Sequence, residues 1–221
     1  MKRMWIILGV LLACGALASP VEAAGKGWHL RAFAAGFDPS LDETVPSENP
    51  DEVQVKGLSD LGFGASLEYQ FNDRLGIELG AFTASPEIEL GAEIPGYGQL
   101  LLTDSMSARA VTLDFNIHLT PNSTYFDVYI GGGVADMSYG DLHYVDPEGD
   151  SLDISADGEL TWSVKAGLDI ALGKESRWAA VGGIRYIDSD IELGNVDDDV
   201  GEKVSLSYNI FSFTVGIAFS F

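Results

Sequence analysis

The residues of this 221-residue chain whose types suit chemistry are three histidines, one cysteine and a large surplus of carboxylates. An acyl-transfer site needs a nucleophile, a base and an orienting group within hydrogen-bond reach. His143 has Ser138, Asp141 and Ser151 near it in sequence, and His118 stands beside Thr120. No serine-hydrolase motif surrounds either of them or His29, so no catalytic residue is expected and a structural hydrogen-bonded role suits His118 better. The run "DSDIELGNVDDDVGEK" offers Asp188, Asp190, Glu192, Asp197, Asp198, Asp199 and Glu202, oxygen ligands of the kind calcium or magnesium takes. Its glycine is not at the sixth position of an EF-hand loop, and aspartate runs are more often solvated. No dedicated metal site and no cofactor is expected, while looser bridging by divalent ions between loop and anionic lipid stays open.

The first residues narrow the setting. "MKRMWIILGVLLACGALASPVEA" places Lys2 and Arg3 before an apolar run from Met4 to Ala18, then a small-residue cleavage pattern at Val21-Glu22-Ala23. The run is shorter than the roughly 20 residues of a spanning helix. Residues 1–23 are therefore expected to be a signal peptide, and 24–221 one domain. Cys14, in "LLACG", loosely resembles a lipoprotein cleavage site, but the Val-Glu-Ala site is the better one. Its removal leaves no cysteine, which excludes disulfides and thiol catalysis. Without Lys2, Arg3 and Glu22 the remainder carries 10 basic against 33 acidic side chains, a formal charge of −23. Nucleic acid is excluded as a partner because phosphate binding needs a basic stripe. Beyond the signal no run reaches 18 apolar residues, so a helical membrane protein is excluded too.

The elements that position the polar residues alternate with period two. "LGFGASLEYQF" puts Leu61, Phe63, Ala65, Leu67, Tyr69 and Phe71 on one face and Gly62, Gly64, Ser66, Glu68 and Gln70 on the other. "VTLDFNIHL" and "LTWSVKAGLDIAL" repeat the pattern, and so does "SLSYNIFSFTVGIAFSF". A soluble sandwich would turn bulky charged residues toward water, whereas this polar face is rich in Gly, Ala and Ser. That suits the crowded inside of a narrow barrel whose apolar face meets lipid. Three short breaks lie around Asn72 to Arg74, Thr120 to Thr124 and Gly173 to Arg177; four long acidic ones run from Asp38 to Lys56, Ser85 to Ser107, Tyr139 to Gly158 and Asp188 to Val204. Seven connections join eight strands. The expected fold is all-β, an eight-stranded antiparallel transmembrane β-barrel with short periplasmic turns and long extracellular loops.

Trp28, Tyr69, Phe71, Tyr125, Phe126, Trp162, Trp178, Tyr186 and Phe221 stand at strand edges, where aromatic girdles sit. In the same register Arg31, Glu68, Glu78, Asp114, His118, Asp127, Lys165, Asp169 and Arg185 point into the lumen. Buried charges are tolerable only when paired, so these predict a salt-bridged plug, with Lys165 and Arg185 pairing to Glu68, Asp114 or Asp169. Eight strands enclose room for side chains or one small ligand, which excludes a wide aqueous porin.

"LRAFAAGFDPS", "LEYQFNDRLGIELGAFTASPEIEL", "VYIGGGVADMSYGDL" and "WAAVGGIRYIDSDIEL" resemble the OmpW family of small outer-membrane barrels, which includes AlkL-type alkane importers. Arg185, Tyr186, Ile187 and Asp188 match its Arg-Tyr-Ile-Asp, and Asp38-Pro39 the start of its first loop. The Pro-Pro before the fourth strand is absent in "SMSARAVTL". The resemblance implies an outer-membrane channel for passive uptake of small hydrophobic molecules, released sideways through the wall. A Phe-terminated last strand resembles the signal read by the barrel assembly machinery, here Phe219 and Phe221. For the apolar second loop, Ile88, Leu90, Ile94, Pro95, Tyr97, Leu100, Leu101 and Leu102, two readings stand: a ligand funnel, or residues that pack on one another in an extended hairpin. Expected partners are outer-membrane lipid and lipopolysaccharide, the assembly machinery and small hydrophobic ligands. The alternative function is a structural or surface-interaction barrel without transport.

Overall fold

The computed structural model describes residues 27–45, 53–94, 98–121, 123, 125–145, 151–173, 176–195 and 204–221. Residues 1–23, read as a signal peptide, lie outside them. In chain order the strands are β1 (Gly27–Ser40), β2 (Asp42–Val45), β3 (Val53–Gly57), β4 (Asp60–Asn72), β5 (Leu75–Ala84) and β6 (Glu87–Ile94). There follow β7 (Gly98–Ser105), β8 (Ala108–His118), β9 (Phe126–Tyr139), β10 (Leu142–Val145) and β11 (Ser151–Asp157). The last are β12 (Leu160–Ala171), β13 (Trp178–Ile187), β14 (Asp190–Asn195), β15 (Val204–Ser207) and β16 (Asn209–Ser220).

Eight of these strands close into a barrel in the order β1-β16-β13-β12-β9-β8-β5-β4, every neighbour antiparallel. Closure follows from the solvent: in hydrocarbon each backbone N–H and C=O needs an internal partner, and a closed ladder leaves no edge. The first and last strands complete it down to Trp28 and Phe221, whose backbones exchange hydrogen bonds of 3.3 and 3.0 Å. Among the described residues no helix is long and apolar enough to cross a membrane.

The outer face carries the side chains that the alternation assigns to lipid. Leu61 is 80 % and Phe63 70 % exposed, burial states that only an apolar solvent makes favourable for a whole band. Aromatic rings pack in pairs at both rims. At the short-turn end these are Trp28 on Tyr69 (4.8 Å) and Trp178 on Phe219 (4.8 Å); toward the other end Trp162 meets Tyr186 (5.6 Å). Phe221 stacks on Phe219. The short turns are locally encoded: Asn72 Oδ1 accepts from the backbone N–H of Arg74 at 2.8 Å and of Leu75 at 3.0 Å, a side-chain turn of the kind Asn favours.

The long acidic connections carry more order than their composition suggests, and the second is the extended hairpin that the sequence left open. They are not irregular loops but hairpins that carry the wall outward, and β1 itself runs through Asp38 and Pro39 to Ser40. β2, β3, β6 and β7 form one four-stranded sheet, and β10, β11, β14 and β15 another. Their alternation hides among the carboxylates. In β6 Ile88 is buried at 1 % and Leu90 packs on the same core, while Glu87 on the opposite side of the pleat is exposed. The acids face water and the apolar residues face inward, so a charge-rich composition still makes strands. Ile88, Met106, Leu142, Tyr144, Ile191 and Leu206 from these extensions form one apolar cluster with Phe37, Ala110, Met137 and Ile210 of the barrel mouth.

Leu168 faces lipid near mid-strand, one residue from the inward Asp169. Leu168→Arg is expected to lower the unfolding free energy by roughly 2–4 kcal/mol, the cost of a cation near the bilayer midplane. Reversible urea titration in lipid vesicles measures it, with Leu168→Met as the apolar control.

Candidate functional site

The inward face changes character along the barrel axis. Nearest the short turns it is charged. Arg31 on β1 sits at the centre of this region, 3 % exposed. Its Nη1 donates to Glu68 Oε2 at 2.7 Å and Glu78 Oε2 at 2.9 Å, and its Nε and Nη2 donate to Asp169 Oδ2 at 3.1 and 2.8 Å. One guanidinium therefore ties β1 to β4, β5 and β12 across the lumen, using the planar fork that suits carboxylates.

A second centre forms around Asp114. Arg185 Nη2 donates to its Oδ2 at 2.7 Å, and Ser163 Oγ donates to its Oδ1 at 3.2 Å. Lys165 Nζ lies 2.6 Å from Glu78 Oε1 and 3.4 Å from Asp114 Oδ2, in a geometry that makes these ion pairs rather than aligned hydrogen bonds. His118 closes the lower end with Nε2 at 2.9 Å from Glu68 Oε1 and Nδ1 at 2.5 Å from Asp127 Oδ2. Both ring nitrogens face carboxylate oxygens, an arrangement that an imidazolium satisfies with two donors. His118 is thus a counter-ion in the plug, and among the described residues no hydroxyl nucleophile bonds to it.

The structure brings together all nine inward charges read from the alternation. The pairing differs in one respect. Lys165 and Arg185 meet Asp114 and Glu78, whereas Glu68 and Asp169 belong to Arg31. Cross-lumen distance decides this, and alternation carries no information about it. Two uncharged residues join the network: Asn116, on the polar face of its strand, donates to Glu68 and Glu78 at 2.9 and 3.2 Å, and Tyr129, which the alternation did not single out, has its ring 4.9 Å from the Arg31 guanidinium and 5.7 Å from Lys165 Nζ. Tyr129 is a cation–π partner for both. The small residues of the lumen make room for these groups. A Cβ at Gly167 would lie 2.3 Å from Tyr129 Cζ, and one at Gly76 2.2 Å from Glu68 Oε1.

Above the plug the inward face is apolar. Phe33 and Phe37 on β1, Phe82 on β5, Met137 on β9 and Ile187 on β13 point inward and continue into the cluster between the two outer sheets. Phe37 and Phe82 meet at 5.3 Å. A cavity of about 50 Å³ lies at the junction, roofed by these phenylalanines and floored by Arg31, Lys165 and Arg185. Of the second-loop residues, Ile88, Leu90 and Leu102 face this apolar interior, and Leu101 is 52 % exposed on the outside. Pro95 and Tyr97, and the side chains of Ile94 and Leu100, lie outside the described residues.

In the outer sheets His143 pairs with Asp153 across β10 and β11, and its backbone N–H donates to Asp104 Oδ2 at 2.7 Å. Among the described residues no serine hydroxyl bonds to it, so the catalytic arrangement that its sequence neighbourhood raised is not assembled. No group of three or more metal-ligating side chains gathers among the described residues.

A closed eight-stranded barrel with a lipid-facing apolar band and a paired polar lumen has counterparts among known proteins. The family described as "Outer membrane protein beta-barrel domain" matches residues 6–219. The chain belongs to that family. As an outer-membrane barrel it is similar in structure to OprG from Pseudomonas aeruginosa, with TM-score 0.66 and 20% identity over 89% of this chain and 96% of OprG. AlkL, solved in DMPC bilayers, gives TM-score 0.60 and 17% identity over 92% of this chain and 95% of AlkL. The protease OmpT from Escherichia coli gives TM-score 0.50 and 9% identity over 92% of this chain and 99% of OmpT. At these identities the likeness is one of fold. No curated protein matches the sequence. The OmpW-type, AlkL-like resemblance read in the sequence stands within this family and this fold.

Two outcomes follow for the site. Arg31→Met leaves three buried carboxylates without their guanidinium and is expected to destabilise the barrel by about 3–5 kcal/mol, measured by urea titration. The hydrogen bond to Asp153, helped by the charge of Asp104, raises the exposed imidazole of His143 above its ordinary value. What this pair contributes is therefore complete below the ordinary imidazole range and is lost as pH rises through the folded value. Asp153→Asn is expected to bring the His143 titration, followed by its ring-proton NMR shift, back down.

Proposed function

We propose that this outer-membrane barrel admits small apolar solutes from outside and releases them sideways through its wall. The observation that carries the reading is the division of the lumen: an apolar cluster reaches from the barrel mouth into the extracellular sheets, and an ion-paired plug crosses the axis beneath it. An apolar solute gains about 25 cal/mol for each Å² it removes from water, which the cluster offers and the plug does not.

The wall of β12 and β13 supports a lateral route. The junction cavity is lined not only by inward residues but by Ala166, Gly182 and Ile184, which stand on the lipid side of these strands. Gly182 and Gly183 put no side chain between cavity and lipid, and glycine weakens the strand that contains it. The family's Pro-Pro is absent before β8, and this glycine pair lies on a different part of the wall. The cavity is smaller than an alkane, so passage requires the Phe33, Phe37 and Phe82 side chains to move.

Residues 1–23 act in this reading as the export signal, Phe219 and Phe221 as the mark read by the assembly machinery, and divalent ions as bridges between the acidic sheets and lipopolysaccharide. The reading assigns no catalytic residue: His118 and His143 bond to carboxylates, and the Ser220–His29 pair has no orienting group among the described residues, because His29 Nε2 has no partner there. The competing reading is a surface-interaction barrel without transport. It is favoured by the tightness of the outer cluster, where Met106 is 0 % and Ile88 1 % exposed, as in an ordinary core.

Gly182→Phe separates the two. A Cβ at Gly182 meets only Thr214 O at 3.8 Å, so the substitution is compatible with the fold while covering the wall with a ring. Uptake of an alkane into proteoliposomes is expected to fall several-fold against wild type, with heat-modifiable gel migration unchanged. Equal uptake by the folded variant removes the exit from β13, and no uptake by wild type above empty liposomes supports the surface-interaction barrel.

A further inference from the structure

Below the plug, the mouth on the short-turn side holds a recess of about 150 Å³ that the uptake route does not use. Asp127 on β9 and Asp169 on β12 line it, and the two are direct cross-strand partners. Like charges directly opposite one another destabilise a ladder. Each has one satisfied oxygen, Asp127 Oδ2 toward His118 and Asp169 Oδ2 toward Arg31. Each also has one buried oxygen, Oδ1 in both, without a partner among the described residues, and Asp169 as a whole is only 9 % exposed. His29, whose Nδ1 bonds to Ser220, leaves Nε2 unpartnered at the same recess.

The charges of the lumen do not balance either. Among the described residues the ion-paired groups are Arg31, Lys165, Arg185 and an imidazolium at His118, four cations against five carboxylates, Glu68, Glu78, Asp114, Asp127 and Asp169. The surplus negative charge falls on the pair with unpartnered oxygens. Arg177 stands on the rim, but no ion pair joins it to either carboxylate among the described residues.

We propose that this recess binds a primary ammonium group carried on a short apolar body. An ammonium brings three donors and one positive charge to a site that offers unpartnered acceptors and one surplus negative charge. Ala171, Ala179 and Ala218 with Tyr125, Phe126 and Trp178 give the lining an apolar side for an aliphatic body, and Ser123, Ser176 and Arg177 complete it with polar groups. The volume also exceeds what a bare monatomic cation fills. Desolvated carboxylates favour a cation they can meet directly, and the apolar side of the recess gives its aliphatic body a surface to leave water for. The ligand therefore approaches from the periplasm, and the inference stands independently of the uptake reading.

The test is a titration of the purified full chain in detergent with n-butylammonium chloride at constant ionic strength, followed by calorimetry and the indole N–H resonance of Trp178. A saturable response is expected, and n-butanol, the same body without the charge, gives none over the same range. Asp127→Asn is expected to weaken binding at least tenfold. Because Asp127 also holds His118, Ala171→Leu provides a second variant that fills the recess and leaves every charge in place; it is expected to abolish binding with the fold intact by heat-modifiable migration. The proposal is overturned by the absence of a saturable response, by equal binding of n-butanol, or by wild-type affinity in folded Ala171→Leu. Magnesium chloride that produces the same saturable shift and displaces the amine overturns it as well, in favour of an inorganic cation site.

Discussion

Charge inside a tube this narrow is costly unless it is paired, and that constraint organises the rest of the molecule. It concentrates on Arg31, whose guanidinium is shared among carboxylates from three other strands. A single side chain thereby fixes the relative heights of β1, β4, β5 and β12. The register that this imposes puts Leu, Phe and Val on lipid, leaves glycines beneath Tyr129 and Glu68, and sets the level at which the lumen turns apolar. Replacing the whole network by packed apolar residues need not lose stability. What the ionic solution provides is a closed axis: a polar barrier that an apolar solute has no reason to enter.

That closure makes the upper half of the barrel intelligible. In the proposed route a solute that leaves water for the apolar region between the outer sheets meets Arg31, Lys165 and Arg185 at its floor, and a side wall whose glycines carry no side chains. Polar plug and thin wall are complementary parts of that proposed route. Both face the same small cavity, and neither would direct a solute sideways without the other. The outer sheets contribute by lengthening the apolar region beyond the membrane, with their carboxylates turned to water.

Much of this was legible in the residues. The alternation in Leu61 to Phe71, Val111 to Leu119 and Leu160 to Ile170 marks barrel strands, because a two-residue period with small polar residues on one side fits a narrow lumen better than a water-facing sheet. The side on which Arg31, Glu68, Asp114, Lys165 and Arg185 lie follows from parity alone. Partner choice across the lumen was not legible, since Glu78 meets Lys165 only once strand order and stagger are set. β1 hid its inner phenylalanines because Leu30, Ala32 and Ala34 make its outer face apolar as well, leaving Arg31 as the one residue that assigns a side. The outer sheets were concealed by their acids. The spacing of Glu87, Ile88, Glu89 and Leu90 is as regular as any barrel strand, but a density of carboxylates reads first as a solvated loop.

The central claim, that the axis is shut while the wall passes apolar molecules, is tested most directly by measuring both fluxes on one preparation. Wild-type protein reconstituted in lipid is assayed for ion conductance across a planar bilayer and for transfer of a labelled alkane into liposomes. The account predicts accelerated alkane transfer over protein-free lipid with no steady open-channel ion conductance. A sustained ionic conductance, or alkane transfer no faster than through lipid alone, contradicts it.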